Sequence, residues 1–283
     1  MTSDFFESQY GNYADLPFWR KRDMGRFVDP FFSARLAMNR SSRRLAEAVA
    51  SAPPLNVLIL AVKVPARARD LERLFRSMSS DHNRVEKRVA TLHEGKGKFQ
   101  NINFALEELD INQFDWLLVV DDDVALPANF LDRFLYLAEQ TDLKLCQPAH
   151  KFHSYQSYAI TQRRWNSLVR VTHYVESGPI TAFRREMFPL VLPFPELRWA
   201  WGEDLAWSEK AMSHGYRIGI IDGTPISHLR PVGDAYCGRE ARKEAVAFLR
   251  NHGIELSRFD ALQEEAMYTS LDEPTGRLVN TSS

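Results

Sequence analysis

Between residues 55 and 149 the apolar positions follow two alternating patterns. Leu55-Asn56-Val57-Leu58-Ile59-Leu60-Ala61-Val62 is a nearly continuous apolar run, as expected of a strand buried on both faces. Arg67 to Met78 carries Leu71, Leu74, Phe75 and Met78 at helical spacing. Arg88 to Leu92 predicts a short second strand. Phe99 to Leu109 predicts a helix with Ile102, Ala105, Leu106 and Leu109 on one side. Trp116-Leu117-Leu118-Val119-Val120 is a third buried strand. Pro127 to Gln140 predicts another helix, with Pro127 in its first turn and Phe130, Phe134 and Leu137 facing inward. Leu143 to Gln147 predicts a fourth strand. This alternation implies an α/β fold with a mixed, mostly parallel sheet flanked by helices. In such sheets ligands bind outside the carboxyl ends of the strands.

Outside this stretch the pattern is weaker. Residues 1–54 read as an N-terminal extension with a helix from Ser33 to Val49. Met38, Leu45 and Val49 share one face of that helix, and Leu36 points elsewhere. Ala52-Pro53-Pro54 breaks the chain. After Ala149 come short β-like runs rich in aromatic and basic residues. A helix follows from Asp204 to His214, closed by Gly215. Then come a strand from Arg217 to Ile221 and a helix from Glu240 to Asn251, closed by Gly253. The tail from Asp272 is polar.

Composition narrows the function classes. The chain has 283 residues, 45% hydrophobic and 26% charged, enough to bury a full core. Its formal net charge of −1 gives no electrostatic case for nucleic acid as a partner. Cys146 and Cys237 lie far apart, which points to neither a disulfide framework nor a metal pair, and to a reducing compartment. No apolar run reaches the roughly 18 residues of a membrane span, so a cytoplasmic location is expected. Phe18-Trp19-Arg20-Lys21-Arg22 leaves a peripheral membrane contact open, against the plainer reading of a solvated edge with anchoring aromatics.

Three clusters carry chemistry. Asp121-Asp122-Asp123 directly follows a buried strand. Three carboxylates there repel one another unless a cation neutralises them, and Mg²⁺ or Mn²⁺ suits such a site. Alternation puts Asp121 and Asp123 on one side and Asp122 on the other. The alternative is a helix N-terminus or an acidic turn before Pro127. In Trp199-Ala200-Trp201-Gly202-Glu203-Asp204 two acids open a helix. They either complement its dipole or place a general base at an acceptor hydroxyl. Trp199 and Trp201 are candidates to stack on a sugar or to belong to the core. His228 follows the strand ending at Ile221 and is the third candidate metal ligand, better suited to manganese than to magnesium.

Further candidates surround these. Lys63, Arg67 and Arg69 follow the first strand and could meet a nucleotide or phosphate. His93-Glu94-Gly95-Lys96-Gly97-Lys98 is a flexible basic loop without the spacing of a Walker motif. Asn101 and Asn103 are candidates for a base, and Arg230 for a leaving diphosphate. Arg163, Arg164, His173 and Glu176 lie where an acceptor would bind. Solvated loops explain the loop residues as well.

From Leu55 to about Tyr236 the sequence resembles GT-A glycosyltransferases of the family 2 type. Asp121-Asp122-Asp123 matches their DxD motif, Trp201-Gly202-Glu203-Asp204 their acceptor-side motif, and His228 their downstream histidine ligand. It is more closely similar to an uncharacterised bacterial and plant glycosyltransferase-like family. The shared segments are Gln147-Pro148-Ala149, Thr161-Gln162-Arg163, Tyr174-Val175-Glu176, Trp201-Gly202-Glu203-Asp204 and Ile220-Ile221-Asp222, in this order. That family usually has leucine in place of Glu203, which favours Asp204 over Glu203 as the catalytic acid.

The resemblance implies a catalytic region over 55–236, split into a donor half (55–150) and an acceptor half (151–236), with a C-terminal helix and tail over 237–283. It implies a UDP- or GDP-linked sugar donor, and a glycan, lipid-linked or small-molecule acceptor. Asp121, Asp123 and His228 would hold Mn²⁺ or Mg²⁺. Lys63, Arg67, Lys98, Asn101, Asp121, Asp122 and Arg230 would meet the donor. Trp199, Trp201, Glu176 and Arg163 would meet the acceptor, and Asp204 would take its proton, with inversion. The competing readings are a nucleotidyltransferase on a related fold and a non-catalytic carbohydrate-binding protein.

Overall fold

The structure is a computed structural model and describes residues 5–6, 16–231, 238–255 and 258–271. The expectations for Cys237, for the tail from Asp272 and for the side chains of Phe18, Trp19, Arg20 and Lys21 lie outside the described residues.

Two helices, α1 (Leu16–Met38) and α2 (Arg40–Ser51), precede the sheet. Then follow β1 (Asn56–Lys63), α3 (Ala68–Ser77), β2 (Arg84–Thr91), α4 (Lys98–Leu106), β3 (Trp116–Val120), the short β4 (Val124–Ala125), α5 (Phe130–Gln140) and β5 (Leu143–His150). The second half contains β6 (Val169–Thr172), β7 (Ile180–Arg184), α6 (Phe188–Val191), α7 (Glu203–Ser213), β8 (Arg217–His228), α8 (Gly238–Asn251), α9 (Arg258–Ala261) and β9 (Glu264–Tyr268).

The strands lie in the order β2-β1-β3-β7-β5-β8-β6-β9, with β4 joined to β8 off this path. β1 is parallel to β2 and β3, and β5 is parallel to β8. β7 pairs antiparallel with both β3 and β5, and β6 pairs antiparallel with β8 and β9. Along this path only β7 and β6 run against the other strands, so the sheet is mixed and mostly parallel in direction. Alternate residues of the central strands feed two cores. Val57, Ile59, Leu118 and Val120 pack with Phe130 and Phe134 of α5 on one face. Leu58, Leu60, Leu117 and Val119 pack with Phe99, Phe194 and Trp207 on the other.

β2 begins four residues earlier than expected, at Arg84, and β5 runs on to His150; three further differences have a clear local cause. The helix expected over Ser33–Val49 is broken at Asn39, which has extended backbone (φ −64°, ψ 128°) and caps α2 by accepting a hydrogen bond from Ser42 N. The break resets the helical phase. Met38 is therefore 63% exposed, whereas Leu36 packs against the core. Pro127 lies outside α5, because Asn129 caps that helix in the left-handed region (φ 53°). The strand expected to end at Ile221 continues to His228. After Ile221 it parts from β6, and its register with β5 shifts. Its last residues pair with β4, where Val124 opposes His228. The irregularity accommodates Pro225 within a strand.

The end of the chain is tied to the same sheet. Arg170 of β6 is fully buried and reaches Asp222 of β8 and Glu264 of β9, each at 2.7 Å. A buried arginine persists only with its charge and donors satisfied, and two carboxylates and two backbone carbonyls do so here.

Candidate active site

The acidic turn leaves β3 at Val120. Asp121 N donates to Pro179 O at 2.8 Å, and Leu229 N donates to Asp123 O at 2.9 Å. With β4 paired to β8, these bonds bring the turn against the end of β8. His228 Nε2 lies 3.3 Å from Asp123 Oδ2. Ligand atoms of Asp121, Asp123 and His228 all lie within 4.8 Å of one another. Lys98 Nζ is 2.8 Å from Asp121 Oδ1, and Arg67 Nη1 is 3.5 Å from Asp122 Oδ1. Asp122 thus stands apart from the cluster that joins its two neighbours.

Charges sort these groups. Burial pushes the Asp122 carboxyl up, with Arg67 opposing. Burial acts the same way on Asp123, but the hydrogen bond and charge of His228 outweigh it and hold that carboxyl below its ordinary value. Burial disfavours a charged His228, yet Asp123, followed by Asp121 and Glu176, raises it. A site that gathers two carboxylates and drives an imidazole toward the cationic form is short of positive charge. Two hard oxygen donors and one imidazole within this spacing fit a divalent cation.

The cluster lies on the floor of a cleft of about 1330 Å³, lined by residues from both halves of the sheet. Of the candidate residues, Arg67, Lys98, Asp121, Asp122, Asp123, Arg230, Glu176, Trp199, Trp201 and Asp204 line it. Lys98 is held over the cluster by tight packing. A Cβ on Gly97 would lie 2.1 Å from the Arg198 carbonyl oxygen, so only glycine fits there. Arg230 also reaches Asp70 at 3.0 Å.

Other candidates are engaged elsewhere. Asn101 lines the cleft but accepts from His93 N (2.9 Å) and donates to Gly97 O (2.7 Å), so its amide braces the 93–98 loop. Asn103 exchanges two hydrogen bonds with the Phe194 backbone. Lys63 and Arg69 are exposed and are not among the lining residues. Arg163, expected at the acceptor, is buried and reaches Asp29 (3.4 Å) and Ser33 Oγ (3.0 Å), so it anchors α1 instead. Arg164 pairs with Glu264, and His173 with Glu265, also away from the cleft.

The second acidic pair divides in two. Ala200 (φ 63°) and Gly202 (φ 88°) both adopt left-handed backbone, turning the chain sharply into α7. Asp204 faces the cleft. Its Oδ2 accepts from Tyr174 OH at 2.6 Å and its Oδ1 from Leu205 N at 2.9 Å. Burial raises its carboxyl, and these hydrogen bonds oppose the rise. Glu203 points away from the cleft and is fully buried, with neither carboxyl oxygen bonded. Burial pushes it well above its ordinary range, toward the protonated form. It is therefore not placed to act on a ligand in the cleft.

Several residues in or behind the cleft wall had no assigned role. Tyr174 occurs in one of the shared segments, but nothing local marks it as the partner of Asp204. His150 is buried and lines the cleft, its ring centred 6.4 Å from that of His228. Burial, then the His228 charge, lowers it to about 3, so it stays neutral. Its Nδ1 meets Ser154 Oγ at 2.9 Å, and that hydroxyl accepts from His228 N at 2.7 Å. Phe5 is fully buried against Tyr158 and Tyr174, and Phe6 stacks on Trp201 with ring centres 5.9 Å apart. One face of Trp201 is thus covered by the chain itself.

No protein-family model and no curated protein matches the sequence. Solved structures do match in fold. S. aureus TarS in complex with UDP-GlcNAc has 16% identity and a TM-score of 0.50, over 72% of this chain and 68% of that one. The mannosyltransferase PcManGT from Pyrobaculum calidifontis, in complex with GDP-Man and Mn²⁺, has 16% identity and a TM-score of 0.47, over 87% and 79%. GalNAc-T7 with UDP, GalNAc and Mn²⁺ has 10% identity and a TM-score of 0.46, over 65% and 45%. The fold is GT-A, as the sequence reading expected. Among the described residues no helix is long and apolar enough to cross a membrane.

Proposed function

We propose that the chain is a metal-dependent glycosyltransferase that moves a sugar from a nucleoside diphosphate sugar to an acceptor hydroxyl, with inversion. The observation that carries this reading is the meeting of Asp121, Asp123 and His228 with Asp204 in one cleft. A GT-A fold places such a cleft at the carboxyl ends of its strands. The likeness to TarS, solved with UDP-GlcNAc, supports a UDP-linked donor as first choice, with a GDP-linked donor next.

In this reading Asp121, Asp123 and His228 hold Mn²⁺ or Mg²⁺. The bound cation would supply Lewis-acid stabilisation of the departing diphosphate. Lys98, Arg67 and Arg230 add positive charge where phosphate oxygens gain negative charge. Asp204 takes the acceptor proton as the acceptor oxygen forms its bond to the anomeric carbon. The bond from that carbon to the diphosphate oxygen breaks, and its electron pair leaves with the nucleoside diphosphate. Tyr174 fixes the Asp204 carboxylate in place.

Thermal shift with UDP, GDP, CDP, TDP and ADP, with and without Mn²⁺, tests this on the wild type and Asp123→Ala. Ligand at about a hundredfold its Kd adds roughly 2.7 kcal/mol, enough for a shift of several degrees. One or two nucleotides should stabilise the wild type only with metal, and not the variant. A shift indifferent to both metal and Asp123 would overturn the donor-site assignment.

A further inference from the structure

α1 is seated along one side only. Gly25 lies so close to the 152–153 backbone that a Cβ there would be 2.6 Å from the Phe152 carbonyl carbon. One turn on, Asp29 accepts from the backbone N–H groups of Phe152 and His153, both at 3.1 Å. Phe32 packs edge-on against Phe152 and Trp165, and Leu36 packs against the core. Residues 25, 29, 32 and 36 recur every three or four positions and mark the seated side.

The opposite side is apolar as well. Phe27 is 76% exposed, Phe31 71%, and Met24 and Met38 63% each. With the exposed Pro30 and Ala34 they form one ridge along the outer side of the helix. At about 1.5 Å per residue the ridge runs roughly 21 Å from Met24 to Met38. Single exposed apolar residues are ordinary, but a continuous row of them on a solvent-facing helix marks an interaction site.

Positive charge surrounds the ridge. Residues 16–51 hold eight arginines and lysines against three acids, whereas the whole chain has 36 against 37. One of the three acids, Asp29, is buried, which leaves Asp23 and Glu47 exposed. By helical position Arg26 and Arg35 fall on opposite flanks of the ridge. Arg40, Arg43 and Arg44 follow it at exposed positions of α2. None of these five arginines forms an ion pair among the described residues.

These features select the occupant. A second copy of the chain would set the same arginines against each other across a two-fold contact, which repels. An anionic lipid surface satisfies both: apolar side chains enter the headgroup and acyl boundary while arginines meet lipid phosphates. Among the described residues no helix is able to cross a membrane, so such a contact lies on the surface.

We infer that α1 docks the protein on an anionic lipid surface, with Met24, Phe27, Phe31 and Met38 entering the bilayer interface and Arg26 and Arg35 meeting its phosphates. The inference is independent of the glycosyltransferase reading. Arg22 of α1 lies over the Tyr155 ring, 4.3 Å from its centre, and Tyr155 lines the cleft. A bilayer against the outer side of α1 thus keeps the cleft close to a lipid surface.

Co-sedimentation of the full chain with vesicles of phosphatidylcholine, alone or mixed equally with phosphatidylglycerol, tests this. The wild type should bind the mixed vesicles about tenfold or more tightly than the neutral ones, and added salt should weaken that binding. Phe27→Ser/Phe31→Ser should weaken binding to the mixed vesicles about tenfold or more. Both side chains are exposed, so the melting temperature of this variant should stay at the wild-type value. Arg26→Gln/Arg35→Gln should reduce the preference for the mixed vesicles. Absence of vesicle binding, equal binding to the two compositions, or undiminished binding by the Phe27→Ser/Phe31→Ser variant would overturn the inference. So would a dimer found by sedimentation velocity in the wild type and lost in that variant, which would assign the ridge to a second copy.

Discussion

Glu176 gives the sharpest test of the electrostatics of the cleft. It is 6% exposed, and its Oε2 has no hydrogen-bond partner. Burial, with the Asp204 charge adding, raises its carboxyl from 4.5 to about 7, against hydrogen bonds from Ser157 and the charge of His228. The folded state therefore holds this proton more tightly than the unfolded chain does. The stability it contributes is fully present below pH 4.5 and is lost as pH rises through about 7. Each pH unit in that window is worth about 1.4 kcal/mol, so the loss is on the order of 3 kcal/mol. Glu176→Gln keeps the shape and removes the titration. The variant should match the wild type near the acid end and be more stable above neutrality, by roughly 5–10 °C in Tm for a chain of this size. Thermal melts of both proteins in chelator at about pH 4.5, 6 and 8.5 measure this. Glu203 and Asp204 titrate in both proteins, so their effects largely cancel in the difference. A Tm difference of constant size across that range would refute the assignment of a buried, proton-holding Glu176.

Two further substitutions probe the supports of the site. Tyr174→Phe removes the donor to Asp204 and should lower kcat about tenfold to a hundredfold, with nucleotide affinity unchanged; equal losses in both, or in neither, would dissociate Tyr174 from the base. Gly97→Ala puts a methyl 2.1 Å from the Arg198 carbonyl oxygen and should cost about 1–3 kcal/mol in urea unfolding while displacing Lys98 and weakening nucleotide binding; an unaltered unfolding midpoint would show that the two loops move apart freely.

What the sequence shows and what it hides follows from the range of each interaction. β1, β3 and the helices between them are legible because their apolar periods are local, and the acidic turn is legible because it follows a buried strand. The position of His228 in the chain order is also legible, but not its place in a twelve-residue strand, which depends on a change of partner after Ile221. Arg163 looks like a ligand-binding residue beside its neighbours in sequence. Its real partner, Asp29, lies in α1, a segment whose helical pattern is interrupted at Asn39. Asn101 looks free until the 93–98 loop folds back onto its amide. Phe5 and Phe6 carry no local signal at all, since their burial depends on Tyr158, Tyr174 and Trp201 far along the chain. Side chains that bond across the topology leave no periodic trace in the sequence.

The same long-range contacts divide the labour among the acids. On the floor of the cleft, Asp123 is kept charged because β4 and β8 set His228 against it, overcoming the cost of burial. Asp122, buried against Arg67 and raised, stays out of that cluster. On the wall, burial outweighs the His228 charge at Glu176 and the hydrogen bonds at Asp204, and moves both toward holding a proton. A charged pair that attracts a cation and a raised carboxyl ready to exchange a proton are the two requirements of displacing a diphosphate with a hydroxyl. Their environments push these pKa values apart, which under the proposed function would let one cleft support both roles at one pH. Glu203 shows what separates them. It is next to Asp204 in sequence and also a carboxylic acid, but neither of its oxygens has a hydrogen-bond partner and burial pushes it well above its ordinary range, while its neighbour meets the cleft.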